Sequence, residues 1–457
     1  MAVHNVTVER TLATLLEAKR YSTIKDILVT MNGADIASVF STLDEETLPL
    51  LFRLLPKELA AEAFAEMESE QQELLIRGFS DKELKEVVNE LFVDDAADLV
   101  EEMPASVVNR ILEQADPEFR KEINEMLQYP EDSAGSVMTT EYVSLRSDMS
   151  VADAIERIRR AGVDKETVYT CYVTSERKLQ GIVPLRSILM CRDNEKPISE
   201  IMDTHVITVN TLDSSEFAAS QLSHYNFIAL PVVDSDGHMV GIITFDDAMD
   251  VLRDEATADM EIMGGMTPSE KSYLRSNAWE LFLHRIPWLL LLMVSATFTG
   301  MIITSFQNAL AAQVALTAFI PMLMDTGGNS GSQASVTIIR ALSLDELEFR
   351  DIPRVLWKEL QTSLLCGSAL AVVCFGKIYL IDRLLMGNSD LTVSVIFVVC
   401  LTMLLTVIVA KLIGCSLPMV AKRLGFDPAV MASPFITTIV DAVSLLVYFS
   451  FASMLLF

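Results

Sequence analysis

A chain of 457 residues, 51% of them hydrophobic and with a mean hydropathy of +0.36, is too apolar to be wholly soluble, so part of it must lie in lipid. Its formal charge of -28 is uneven, because residues 1–276 carry 25 Lys and Arg against 52 Asp and Glu, whereas residues 277–457 carry 10 against 11. So acidic a half excludes nucleic acid and anionic headgroups as partners and calls for cations. The six cysteines, scattered without a C-x-x-C pair, offer neither a disulfide framework nor a zinc centre.

Residues 1–130 predict an acidic all-α domain. The strings ADIASVFSTLDEETLPLLFRLL, LAAEAFAEMESEQQELLIRGF and DAADLVEEMPASVVNRILEQ share apolar residues at three- and four-residue spacing followed by an acidic turn, which suits stacked helical pairs in a small superhelix. Glu62 in ELAAE, and Asp94 and Asp95 in FVDDAADL, read by themselves as helix-surface and N-cap carboxylates. The first thirty residues lack a signal-peptide core, so the N-terminus is expected in the cytoplasm.

An internal repeat follows over 131–200 and 201–252. VMTTEYVSLRSDMSVADAI and YVTSERKLQGIVPLRSIL are answered by IMDTHVITVNTLDSSEFAA and PVVDSDGHMVGIITFDDAM, each half predicting strand, helix, two strands joined by a turn, then helix. The pattern resembles a tandem pair of cystathionine-β-synthase (CBS) domains. That resemblance implies a regulatory joint or an adenosine-nucleotide site. The ribose-binding Asp falls on Asp247 in the second copy, but Ser187 stands there in the first; Asp247 and Arg186 are the nucleotide candidates, and ATP is left open as a ligand.

Residues 245–270 predict a connecting helix with Asp246, Asp250 and Asp254 along one stripe, ended by the loop GGMTPSEKS. The stripe reads either as a solvated face or as one bridged by cations.

A membrane domain is expected over 280–457, with five apolar segments near 287–306, 314–342, 362–385, 391–420 and 434–457. Basic residues His284, Arg285, Arg340, Arg350, Arg354, Lys358, Lys422 and Arg423 flank alternate ends, which predicts a cytoplasmic N-terminus and a C-terminus outside. The second segment, PMLMDTGGNSGSQASVTIIRAL, sets Pro321, Gly327, Gly328 and Gly331 among Asp325, Asn329, Ser332 and Gln333. It reads as a broken helix lining a cavity or, through its G-x-x-x-G string, as a close helix contact. The last segment is about 36 Å long as a helix, with Asp441 about 10 Å from its Pro434 end. A central aspartate there costs about 2.5–3.5 kcal/mol to insert. No Lys, Arg or His in the segment can pair with it, so either a mobile cation, a proton or neighbouring polar groups must compensate.

The whole pattern, with PMLMDTGGNSGSQAS and SPFITTIVDAV as its most specific strings, resembles the MgtE family of magnesium channels and transporters over nearly the full chain. The resemblance implies a multidomain homodimer in the cell (inner) membrane: an all-α superhelical N-domain, an α+β CBS pair, a connecting (plug) helix and a five-helix transmembrane domain. It implies a pore formed by the second and fifth spans, with Asp441 as its carboxylate and Ser433, Thr437 and Asn329 along its narrow part. Ser433 replaces an Asn of the better-known pattern. It further implies regulatory Mg2+ bound by Glu62, Asp94, Asp95, Asp246, Asp247, Asp250, Glu255, Asp259 and Asp427, although Ser214, Asn226 and Ala258 stand where the family pattern favours acids. Independently, two carboxylates with hydroxyls nearby suit a hydrated Mg2+, which keeps most of its waters; calcium wants a fuller oxygen cage and soft metals want Cys or His. No Walker loop, G-x-S-x-G or histidine cluster supports an enzyme. The alternative is a CBS-regulated transporter of Co2+ or Mn2+.

Overall fold

Short amphipathic segments broken by polar turns build the first part of the chain: α1 (Tyr21–Leu28), α2 (Gly33–Phe40), α3 (Thr47–Phe52), α4 (Lys57–Ala65), α5 (Ser69–Gly78), α6 (Asp81–Val88), α7 (Val93–Glu102), α8 (Ala105–Gln114) and α9 (Pro117–Met126). Each buries one apolar stripe, as the spacing predicts. Ile24, Leu28, Phe40, Phe64, Leu75 and Leu84 are fully enclosed in one core, where the rings of Phe52 and Phe79 lie 5.4 Å apart. Gly33 lets α2 approach the backbone of α4, since a Cβ there would lie 3.0 Å from the Glu62 carbonyl carbon. A capping box between Ser80 and Glu83 starts α6.

The repeat folds as two three-stranded sheets. β1 (Tyr142–Leu145) pairs parallel with β2 (Thr167–Ser175), which pairs antiparallel with β3 (Lys178–Pro184); β4 (Val209–Asn210), β5 (Ala229–Val233) and β6 (Met239–Thr244) repeat that order. α10 (Val151–Ala161), α11 (Leu185–Met190) and α12 (Ser215–Tyr225) complete the two halves. The sheets are joined by a core of Tyr172, Ala229, Met239 and Ile242 and by reciprocal backbone bonds between Thr139 and Ile242, at 2.8 and 2.9 Å. This is the strand-helix-strand-strand-helix order expected from the sequence. Two of the three departures from the family's acidic pattern have local roles: Ser214 caps α12 by accepting the Phe217 N–H, and Asn226 ends it at φ 54°, a left-handed position that Asn tolerates.

α13 (Phe245–Met263) follows, then α14 (Ala278–Ser305), α15 (Gln307–Ala312), a 3-10 turn over Val314–Phe319, α16 (Ile320–Ser343), α17 (Ile352–Gly376), α18 (Val393–Arg423) and α19 (Ser433–Leu456). The computed structural model describes residues 11–456 except 13, 163–164, 270–272, 274–275, 345 and 389–390, and it divides into two units, Met1–Leu252 and Arg253–Phe457. Among the described residues, four stretches are long and apolar enough to cross a membrane: Ala278–Ser305, Phe349–Leu385, Val393–Arg423 and Pro428–Leu456. The remaining expected segment, the second, is α16, which is long enough but polar along one side.

One expectation is corrected. The second segment is not broken: α16 runs unbroken through Gly327, Gly328 and Gly331, with Pro321 in its first turn, where the missing N–H costs nothing. The glycines serve helix contact, the other reading of the G-x-x-x-G string. A Cβ on Gly331 would lie 2.9 Å from Ile436 Cγ2 on α19, and one on Gly327 2.7 Å from Thr406 Cγ2 on α18.

Candidate metal sites

In the membrane unit, α16 buries its glycine face against α18 and α19. The fit is close enough that a side chain on Gly414 would run into the Gly331 backbone, and one on Gly328 would meet Thr437 Cγ2 at 2.8 Å. The opposite side of α16 carries Asp325 and Asn329, both exposed, with Asn329 Nδ2 donating to the Asp325 carbonyl at 2.9 Å and to its Oδ1 at 3.0 Å. On α19, Thr437 lies one turn before the half-buried Asp441. Asp441 Oδ1 is shielded from solvent and accepts no hydrogen bond, and the charged group that acts on Asp441 is Asp325, of like sign. Two carboxylates and an amide thus share the α16–α19 side of the unit. Ser433 opens α19, but its side chain lies outside the described residues.

The end of α13 reaches this unit's helix ends. Ile262 and Met263 pack on Ile339, Ala429 and Ala432, and Gly265, at φ 73°, comes so close to Trp288 and Pro434 that no side chain fits there. Here two expected regulatory residues come together. Asp259 accepts from Ser343 Oγ at 3.4 Å, and burial, then the nearby Asp427, raises its carboxyl above the usual range. Asp427 itself is exposed and caps the next turn by accepting the Ala429 N–H at 2.7 Å.

A second acidic group lies within the first unit. Asp94, in the first turn of α7, is 9% exposed, and its Oδ1 is shielded and unbonded. Burial, then Asp247, Asp95 and Glu166, hold its carboxyl well above the usual range. Asp95 is pushed up to about 7 by burial and then by Asp247, Glu66, Glu141 and Asp246. Asp247, half-buried in the first turn of α13 and bonded to Thr244 Oγ1, is raised by burial against that bond. Four expected residues, Asp94, Asp95, Asp246 and Asp247, therefore form one nest. Its buried, unbonded oxygen fits a cation, because like charges at this density stay ionised only with a counter-ion. Glu62 is exposed on α4, and it is Glu66, a turn further on, that acts on Asp95. Asp250 is exposed and Glu255 half-buried, both on α13, while Arg186 is exposed on α11.

Three features escaped the sequence reading. Glu141 and Glu166, from the first CBS half, join the nest. Asp234, Asp236 and His238 bring donor atoms within 4.8 Å of one another in a solvent-facing turn, although Asp234 Oδ1 already accepts the Asp236 and His238 N–H groups. Lys411, on α18 and 6% exposed, lies 3.7 Å from Glu359 on α17, whose Oε2 accepts no hydrogen bond. A lone Lys inside an apolar run was the signal for this last pair.

Comparison with known proteins follows the same division. A family model described as "divalent cation transporter" matches residues 320–451, one described as "MgtE intracellular N domain" matches 9–132, and the CBS domain model matches 134–193 and 198–254. The chain is 35% identical to the magnesium transporter MgtE of Thermus thermophilus over 95% of both chains, and 30% identical to that of Bacillus subtilis over 99% of this chain and 98% of the relative. Among solved structures, the cytosolic domain of the Mg2+ channel MgtE in complex with ATP aligns at 33% identity and a TM-score of 0.51, over 53% of this chain and 99% of that one. The soluble part of a magnesium transporter aligns at 27% identity and a TM-score of 0.52, over 55% of this chain and 99% of that one.

Proposed function

Because the chain belongs to the MgtE family of magnesium transporters, we propose that it imports hydrated Mg2+ through a pore lined by α16 and α19 in a homodimer, and that cytoplasmic Mg2+ closes that pore. The observation that carries the reading is Asp441: a carboxylate in a membrane helix, with one oxygen shielded and unbonded and an acid rather than a base beside it. Such a group is tolerated where a cation passes. Mg2+ keeps most of its waters, so one Asp441 from each protomer, with the hydroxyls of Thr437 and Ser433 and the amide of Asn329, can hold it without stripping them. In this reading five spans cross the cell membrane, the glycine-packed α16 being the second and α19 the fifth, with the N-terminus in the cytoplasm and the C-terminus outside.

Closure rests on the acidic groups. Cations bridging Asp94, Asp95, Asp246 and Asp247, and others at Glu62, Asp250, Glu255, Asp259 and Asp427, turn repulsion into attraction. The end of α13, packed beside Ile339, Ala432 and Pro434, acts as the plug. An adenosine nucleotide held at the CBS pair through Arg186 and Asp247 is a second ligand in this reading.

Flux into liposomes loaded with a Mg2+ dye, compared among Mg2+, Ca2+, Co2+ and Mn2+ with and without a membrane potential, tests the proposal. Mg2+ uptake that rises with an inward-negative potential is expected. Uptake of Co2+ or Mn2+ in preference to Mg2+ would favour the alternative substrate.

A further inference from the structure

The acid nest is held by more than the two acidic segments that the motifs single out. The Glu141 carboxylate accepts the Val93 N–H at 3.2 Å, so the first CBS half already holds the opening residue of α7. The Glu166 N–H in turn donates to the Glu141 carbonyl at 3.1 Å, because Tyr142 and Thr167 are register partners at the start of the parallel β1–β2 pair. That pairing sets the two glutamates side by side at one end of the sheet, against the helical turn that carries Asp94 and Asp95. Thr139, two residues before Glu141, bonds Ile242 of β6, and β6 runs directly into the turn that carries Asp247. Three chain segments therefore converge, and each brings a carboxylate. Of these, Asp94 Oδ1 and Glu166 Oε2 are both closed to solvent and accept no hydrogen bond. The nearby base Lys165 acts on Glu141.

We propose that Glu166 is a ligand, directly or through a bound water, of the same Mg2+ that Asp94 and Asp247 hold, so that one ion ties the helical N-domain to both CBS halves. The inference rests on the regulatory reading above and adds the first CBS half to it. Among the described residues these two shielded carboxylate oxygens find no hydrogen-bond donor, and a hydrated divalent ion supplies both charge and donors. The ion would then sense the angle between the two CBS halves as well as the docking of α7.

The test is a Mg2+ titration of the full-length protein in detergent, following hydrogen exchange in residues 93–102 and the melting temperature, for wild type, Asp94→Asn, Asp247→Asn and Glu166→Gln. Glu166→Gln keeps the shape of the side chain, and its melting temperature without Mg2+ should equal or exceed that of wild type, because a repulsive charge is gone. Its Mg2+ midpoint should rise roughly fivefold or more, as for Asp94→Asn, in keeping with the loss of one charged contact. A wild-type midpoint in Glu166→Gln beside shifted midpoints in the two Asp variants would overturn the role of Glu166 and leave the regulatory reading standing. Unshifted midpoints in all three would remove both.

Discussion

A carboxylate set in a membrane helix needs compensation, and at Asp441 the structure supplies an acid and a shielded, unbonded oxygen instead. Asp441→Asn should therefore abolish Mg2+ flux in liposomes while the purified protein keeps its elution volume and melting temperature; retained flux would take Asp441 out of the pore. A different kind of constraint acts at Gly414, where an added methyl group would meet the Gly331 backbone, which has no rotamer to retreat into. Gly414→Ala should lower stability by about 1–3 kcal/mol, the usual cost of overpacking, read as a depressed melting temperature in detergent. Asp441 was legible because it is a lone charge in an apolar run. Glu166 was not: it is one of 63 acids, and only the side-by-side starts of β1 and β2 bring it to α7.

Among the described residues of the membrane unit, apolar cores and small-residue contacts between helices are joined by an ion pair that links two of them. Lys411 and Glu359 tie α18 to α17, with side-chain exposures of 7% and 16%. Removing one partner of a buried pair leaves an uncompensated charge, typically about 3–5 kcal/mol, whereas replacing both with apolar residues of similar size is often neutral. Lys411→Met alone should thus reduce folded yield and melting temperature sharply, and Lys411→Met with Glu359→Met should restore most of both. If the double variant is no better than the single one, the pair has a role beyond charge balance. At this scale the sequence was read well for α13 and for the repeated sheets, where period and turn residues agree. It was read two ways for α16, and of these the broken helix fails and the close contact holds: three glycines and a proline weigh against a helix by propensity, but contacts with α18 and α19 override that preference.

Across the whole chain, the acidic excess sits in the first 276 residues and converges on a few buried groups. Asp95 and Glu166, raised to about 7 and about 8 by burial first and by neighbouring acids second, bind protons in the folded protein at pH values where the unfolded chain, at about 4, has released them. In Mg2+-free buffer the melting temperature of the cytoplasmic half should therefore fall as pH rises from about 4 to 8, and saturating Mg2+ should flatten that slope. A slope unaffected by the ion would separate the acids from cation binding. Proteolysis near Gly264 and Gly265 should likewise slow as Mg2+ is added, if bridging ions draw the acidic lobes together. The two-unit organisation was readable from hydropathy and charge alone. The grouping of Asp94 with Asp247, 153 positions apart, was available only through the family resemblance, because nothing local in either segment announces the other.

The crowding at Gly265 has an optical consequence. Its neighbour Trp288 is one of three tryptophans, and its indole nitrogen is shut away from solvent, whereas Trp279 and Trp357 are 67% and 62% exposed. With those two replaced by Phe, the chain would carry a single tryptophan, excited selectively over its nine tyrosines, against the end of the connecting helix. Its emission would shift to the red whenever that end withdrew, which would give the proposed closure a spectroscopic signal without any attached label.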